Sequence, residues 1–395
     1  MKILKKEKVN YKGLKVLLFD GYGRQIPTLL KQLHELGCEI TTVNDSKLDI
    51  GYTSRFPKRK ILIRGCREEI GDVRKYVENA LQNNEFDIYF PVLERSTDLM
   101  LTLKEEHKLG NAKLICAPRA AFEKAYDKQR TMEICMKIGV PCPVTKSDDE
   151  TLDDYLKKAQ FPLACKPRKG SGGAGFKRID SREQLYKYIE EGVIKIEEYV
   201  IQEFIPQSDY QYGVYIMMDG DSKPIYTIPV QTCRWFPIDG GPGCFVRTIN
   251  RNDIKNYAEK LMSELGWKSF GHISFIMDPR DHTPKLMEIN GRIPAGIKMC
   301  DYAGVHPVKT MLDLFYGESL KPVDYPIPEG LCMRYSHTDV MWFLKSPNRF
   351  KSHPFWFDFR KNRDYIFSWR DPIPFFCYAI EHVLTYRRDM KNRKH

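Results

Sequence analysis

Residues 14–19 form an apolar run that ends at Asp20-Gly21-Tyr22-Gly23, and Ile26, Leu29, Leu30, Leu33 and Leu36 then recur at helical spacing before Gly37. A strand at 39–43, a further strand at 61–63, a helix over 73–81 and a strand over 87–92 continue the alternation. Strand, turn, helix and strand in repetition predict an α/β fold, with an open parallel sheet, over residues 1–115. The turn Gly21-Tyr22-Gly23 lacks the third glycine of a dinucleotide fingerprint, so by itself it assigns no nucleotide.

Beyond Phe122 the pattern changes. Residues 126–138 are amphipathic at helical spacing, Gly139 ends that helix, and Pro141-Cys142-Pro143 leads into an extended segment. Strands are predicted at 163–167 and 198–204, a long hairpin at 212–230, and a pair at 273–277 and 285–289, with a helix over 252–265 between them. This is an α+β body over 116–330, with one lobe at about 140–204 and another at about 205–330. An aromatic, basic extension follows over 331–395.

Composition narrows the class. No stretch approaches the roughly 18 unbroken apolar residues of a membrane span, and the lysine-rich start runs into the polar Val9-Asn10-Tyr11-Lys12 instead of an apolar core. A cytoplasmic protein is expected. The eleven cysteines are scattered, odd in number and without CxxC spacing, which points to buried thiols and to neither a disulfide framework nor a zinc site. The net charge of +11 is concentrated at one end, where residues 343–395 carry twelve Lys/Arg against five Asp/Glu.

The chemistry begins at Phe161-Pro162-Leu163-Ala164-Cys165-Lys166-Pro167-Arg168-Lys169-Gly170-Ser171-Gly172-Gly173-Ala174-Gly175-Phe176. A strand presents a lysine and becomes a loop with four glycines, whose bare backbone can bring several N–H donors onto phosphate oxygens while Lys166 neutralises charge. The lysine precedes the glycines, so this is no Walker loop, and a hairpin lid would cover the phosphates in place of a helix N-terminus. Asp127-Lys128 lies one helix upstream. Downstream come Gln202-Glu203-Phe204-Ile205-Pro206-Gln207-Ser208-Asp209 and then Met287-Glu288-Ile289-Asn290-Gly291-Arg292.

In that order, the four motifs resemble the ATP-grasp superfamily, particularly its carbamoyl-phosphate-synthase-like and carboxylate-amine ligase branches, over most of residues 14–317. The resemblance implies a pre-ATP-grasp α/β domain followed by a two-lobed ATP-grasp domain. It implies ATP with magnesium, or manganese in its place, as cofactor. Lys128 and Lys166 correspond to the phosphate-contacting basic residues, and Gly170, Ser171, Gly172 and Gly173 to the lid. Gln202, Glu203, Phe204 and Ile205 correspond to the hinge that reads the adenine, and Asp209 to a ribose-binding acid. Adjacent strand residues face opposite ways, so Gln202 and Glu203 cannot both point at the base.

Glu288 and Asn290, two apart on a predicted strand, share a face and offer hard oxygens to magnesium. Arg292 would address a γ-phosphate or an acyl phosphate with its planar fork. The family writes Asn-Pro-Arg where this chain has Asn290-Gly291-Arg292, which keeps both functional side chains. On the preceding strand Ser274 stands where the family places a first metal ligand, with Asp278 as the substitute under a shifted register. Serine is a poor magnesium ligand. His272 reads equally well as a packed histidine or a proton carrier.

The loop Gln231-Thr232-Cys233-Arg234-Trp235-Phe236-Pro237-Ile238-Asp239-Gly240-Gly241-Pro242-Gly243 resembles the substrate loop of the ligases, with Arg234 and Arg247 as an anion clamp. The expected activity is ADP-forming ligation of a small-molecule carboxylate to an amine through an acyl phosphate. Phosphotransfer to a small molecule, or ATP binding without turnover, is the alternative. No nucleic acid partner is expected. In the extension, Phe376, Ala379, Ile380, Val383 and Leu384 at helical spacing precede Arg387-Arg388, a composition suited to peripheral contact with the inner face of a membrane as well as to a packed subdomain with a basic end.

Overall fold

The computed structural model describes residues 9–170, 175–207, 211–238, 241–360 and 362–393. Its first part alternates strands and helices: β1 (Lys15–Leu18), α1 (Ile26–Glu35), β2 (Glu39–Asn44), α2 (Ile50–Thr53), β3 (Arg59–Leu62), α3 (Gly71–Gln82), β4 (Ile88–Phe90), α4 (Glu94–Glu105) and β5 (Lys113–Leu114). These strands form a parallel sheet of order β3-β2-β1-β4-β5. The order reverses between β1 and β4, so the loops after those two strands meet at the topological switch point, where open α/β sheets bind ligands.

The helix predicted over 126–138 is present as α6 (Lys128–Ile138), and a further helix, α5 (Arg119–Tyr126), precedes it. Asp127 separates them. Its carboxylate accepts the Gln129 N–H at 2.9 Å and caps α6, and Gly139 closes the helix at φ 69°. A small lobe follows with α7 (Leu152–Lys158), β6 (Leu163–Pro167), β7 (Lys177–Ile179), α8 (Arg182–Glu190) and β8 (Tyr199–Glu203), whose strands pair antiparallel in the order β7-β6-β8.

The remaining elements are β9 (Gln211–Met218), β10 (Pro224–Trp235), β11 (Gly243–Thr248), α9 (Asn252–Glu264), β12 (Ser269–Met277), β13 (Pro284–Asn290), α10 (Ile297–Tyr302), α11 (Pro307–Phe315), β14 (Cys332–Arg334), α12 (Ser336–Lys345), β15 (Asn362–Asp364) and α13 (Ile373–Arg393). Their sheet runs β13-β12-β9-β10-β11-β14-β15. Val214, Ile216, Ile273 and Phe275 pack one face against α6 and α9, while Tyr215, Met217, Ile228 and Met333 turn the other toward α1, α10 and α11. The extension therefore supplies two strands of the central sheet, and a boundary at 331 cuts through that sheet. The cysteines are all free, seven of them buried.

Candidate active site

The pairing of the edge strand β13 with β12 sets the geometry. Ser274 stands opposite Glu288 and His272 opposite Asn290. These four side chains share one sheet face, as the spacing of Glu288 and Asn290 predicts. The register then slips, leaving Met287 unpaired, and its carbonyl accepts Lys166 Nζ at 3.0 Å.

His272 has a packing role. Burial, reinforced by the Arg292 charge, pushes its imidazole down to about 3, so the ring is neutral. Its Nδ1 takes the Asn290 Nδ2 hydrogen bond at 3.1 Å. That contact turns the Asn290 oxygen the other way, where it accepts Arg292 Nη2 at 2.9 Å. Only glycine fits beneath the ring, since a Cβ on Gly213 would meet His272 Nε2 at 2.6 Å.

The register also settles the alternative to Ser274. Asp278 lies at the far end of β12–β13, buried and gripped by Arg280 at 2.5 Å and Lys285 at 2.8 Å, which hold its carboxyl far below the usual range. It does not replace Ser274.

Lys128 opens α6 and Lys166 lies on β6, yet both charges interact with Glu288. Burial depresses Lys128, opposed by Glu288, Glu94 and Asp127, and its Nζ donates to the Gly170 carbonyl at 2.6 Å. Burial pushes Lys166 down to about 8, with Glu288 opposing and Lys128 adding to the fall. Arg168 ties the two elements together, donating to Asp127 at 3.1 Å and, from both ends of its fork, to Asp148 at 3.1 and 3.0 Å. The lid positions Ser171, Gly172 and Gly173, like the ribose candidate Asp209, lie outside the described residues.

At the hinge the two neighbours part, as strand alternation requires. Gln202 is buried and its Oε1 has no hydrogen-bond partner among the described residues. Glu203 turns instead into the charged cluster, accepting Lys285 at 3.2 Å and bonding Arg280. The Phe204 ring lies under Arg178 at 4.9 Å, and Ile205 is buried.

The two expected clamp arginines are not at this site. Arg234 is 1% exposed and donates twice to Asp339 of α12, at 2.7 and 3.0 Å, and once to the Pro354 carbonyl at 3.0 Å. A guanidinium so committed anchors the extension and leaves no fork for substrate. Arg247 pairs with Gln231, Gln231 with Tyr212, and Tyr212 with Phe275. That row faces away from the row Thr248, Val230, Gly213, Ser274 and Glu288. Arg247 therefore lies on the opposite sheet face from Glu288, bonded to Gln231 Oε1 at 2.8 Å.

Two other residues come forward. Glu94, at the first turn after β4, accepts Arg292 Nε at 2.9 Å. Arg24, in the loop after β1, lies over the Tyr335 ring at 4.6 Å, and its charge acts on the hydroxyls of Tyr215 and Tyr365. It makes no carboxylate ion pair among the described residues. The Tyr215 ring in turn touches His272, with centroids 4.9 Å apart. Sequence reading passed over both. The signal that finds them is their place at the switch point between β1 and β4.

Residues 125–296 match the family model of the ATP-grasp domain. Among curated proteins, the chain is 25% identical over 256 residues to the carbamoyl-phosphate synthase of Methanobrevibacter smithii, across 59% of this chain and 65% of that one. It is 22% identical over 271 residues to the carbamoyl phosphate synthase arginine-specific large chain of Halalkalibacterium halodurans, across 64% of this chain but 26% of that protein. The chain thus spans less than two thirds of each of these relatives. Among solved structures it resembles the L-amino acid ligase from Bacillus licheniformis, with TM-score 0.60 and 19% identity over 82% of this chain and 78% of that one. It also resembles the biotin carboxylase domain of the Hydrogenobacter thermophilus 2-oxoglutarate carboxylase, a complex with MgADP, ADP and bicarbonate, with TM-score 0.65 and 17% identity over 81% and 74%. These likenesses establish the fold.

Proposed function

We propose that this chain, whose residues 125–296 match the family model of the ATP-grasp domain, is an ADP-forming ligase that activates a small-molecule carboxylate and joins it to an amine. The observation that carries the reading is the convergence of Lys128 and Lys166 on Glu288 from two separate elements. Two half-buried ammonium groups beside one carboxylate suit a polyphosphate with a hard cation. The unpartnered Gln202 Oε1 is an acceptor suited to an exocyclic amino group of a nucleobase. Glu288 and the Asn290 oxygen fit magnesium, and manganese equally, and the neutral His272 holds that oxygen in place.

In this reading ATP supplies a phosphoryl group to the substrate carboxylate with release of ADP, and the amine then displaces phosphate while giving up a proton. The protein's part is charge and position. Lys128 and Lys166 offset phosphate charge. Arg292, fixed by Glu94 and Asn290, presents its fork to the transferred group. With Arg234 and Arg247 elsewhere, Arg24 is the guanidinium we assign to the substrate carboxylate, since it is half-buried at the switch point and pairs with no acid among the described residues.

The test is ADP release over a panel of amino acids and acidic sugars, with and without hydroxylamine. Carboxylate-dependent ADP release and a trapped hydroxamate are expected. ADP release with phosphate retained on the product would assign a phosphotransferase, and nucleotide binding that no substrate pool turns over would assign a non-catalytic ATP-binding protein.

A further inference from the structure

Helix α13 is half docked and half bare. On one side Phe375 and Tyr378 pack against the core, the Tyr335 hydroxyl donates to that of Tyr378 at 3.0 Å, and Arg67 Nη2 donates to Glu381 at 2.6 Å. Arg67 also bonds Asp49 of the N-terminal domain. The other side shows Ile373, Phe376, Ile380, Val383 and Leu384, each between 54% and 75% exposed. Steps of three, four, three and one place all five on a single helix face. Trp369, just before the helix, is 89% exposed.

Exposed apolar surface of this kind is concentrated here. Twelve of the eighteen exposed large apolar side chains among the described residues fall at or after Val340. A continuous apolar stripe left bare marks an interaction surface. In the sequence Arg387, Arg388, Lys391, Arg393 and Lys394 then follow Leu384.

We propose that this face of α13 lies flat on an anionic phospholipid surface, with Val383 and Leu384 in the acyl boundary and the basic end against the headgroups. An apolar stripe that runs into a polybasic end, with a tryptophan at its start, is the chemistry of an interfacial helix. No helix among the described residues is long and apolar enough to cross a membrane, so the contact is peripheral. A second copy of the chain is a poorer occupant, because the cores of protein interfaces are depleted in lysine and other charged residues.

The test is sedimentation of the full chain with vesicles of mixed phosphatidylglycerol and phosphatidylcholine, against phosphatidylcholine alone. Recovery with the anionic vesicles at low salt and release at high salt are expected. Val383→Asp with Leu384→Asp should lower partitioning at least about tenfold, and so should Arg387→Glu with Lys391→Glu. Both pairs should leave the melting temperature and any nucleotide-induced shift in place. Equal recovery on neutral vesicles, or no loss in the Val383/Leu384 variant, overturns the proposal. So does a concentration-dependent dimer that the same substitutions dissociate, which would make the face a contact between copies.

Discussion

Arg292 and Glu94 stand 198 residues apart in the chain and 2.9 Å apart in space. Their contact joins the switch point of the N-terminal sheet to the end of β13. Arg292 therefore has its Nε held by one domain and its Nη2 held by Asn290 of another. Glu94→Gln keeps a hydrogen-bond acceptor but removes the charge that holds the fork. Turnover should fall about ten- to a hundredfold, the range a small misplacement of a reacting group produces. The nucleotide-induced melting shift should persist. If the variant turns over normally while Arg292→Ala does not, the ion pair has no role in positioning.

Lys166 gives a pH signature. Its ammonium titrates near pH 8 in the free protein, below its ordinary 10.5, because burial penalises the charge. Phosphate needs the charged form, so ATP affinity should fall as pH rises from 7 to 9, and binding above pH 8 should take up a proton. The sign for folding is opposite. A lysine with a depressed folded value weakens the ligand-free fold at low pH, and its share of stability returns as pH rises from 8 to 10.5. Lys166→Met should remove both effects. In Lys166→Ala or Lys128→Ala the ATP-induced melting shift, worth about 2.7 kcal/mol for a ligand at 100 times its dissociation constant, should collapse. An unchanged shift in both variants removes the lysines from the phosphate site.

Ser274 and Glu288 are cross-strand partners, yet only one of them carries charge. A carboxylate neutralises a bound divalent cation and a hydroxyl does so poorly. Glu288→Gln should cost far more turnover than Ser274→Ala, and the dependence on magnesium concentration should shift upward in Glu288→Gln alone. The reverse ranking would place the cation elsewhere.

What the sequence shows of this site is local. Period-two spacing puts Glu288 and Asn290 on one face, and Asp127 and Gly139 bracket α6. The positions of Glu94 and Arg24 depend on strand order, which no local pattern contains, and only the reversal between β1 and β4 brings their loops together. Arg234 and Arg247 failed for a related reason. Their spacing resembles a substrate loop, but the place of Arg234 depends on a register shift between Thr232 and Arg234 and on a helix beginning at Ser336, and that of Arg247 on its pairing with Gln231 across the sheet.

That helix supplies the last prediction. Arg234 and Asp339 are 1% and 0% exposed and joined by two hydrogen bonds, and Arg334 stands 3.1 Å from the same carboxylate. Arg334 still balances the Asp339 charge when Arg234 is removed, so the loss is that of the two charge-assisted hydrogen bonds and the packing, with each such bond worth about 1.5–3 kcal/mol. Arg234→Ala should therefore lower the melting temperature strongly. Where the variant still folds, the KM for the carboxylate substrate should be unchanged, because the side chain faces Asp339 and the Phe245 ring 3.9 Å away. Arg24→Ala should do the opposite, raising that KM about tenfold or more with little change in melting. A raised KM in Arg234→Ala at normal stability would return that residue to the substrate clamp.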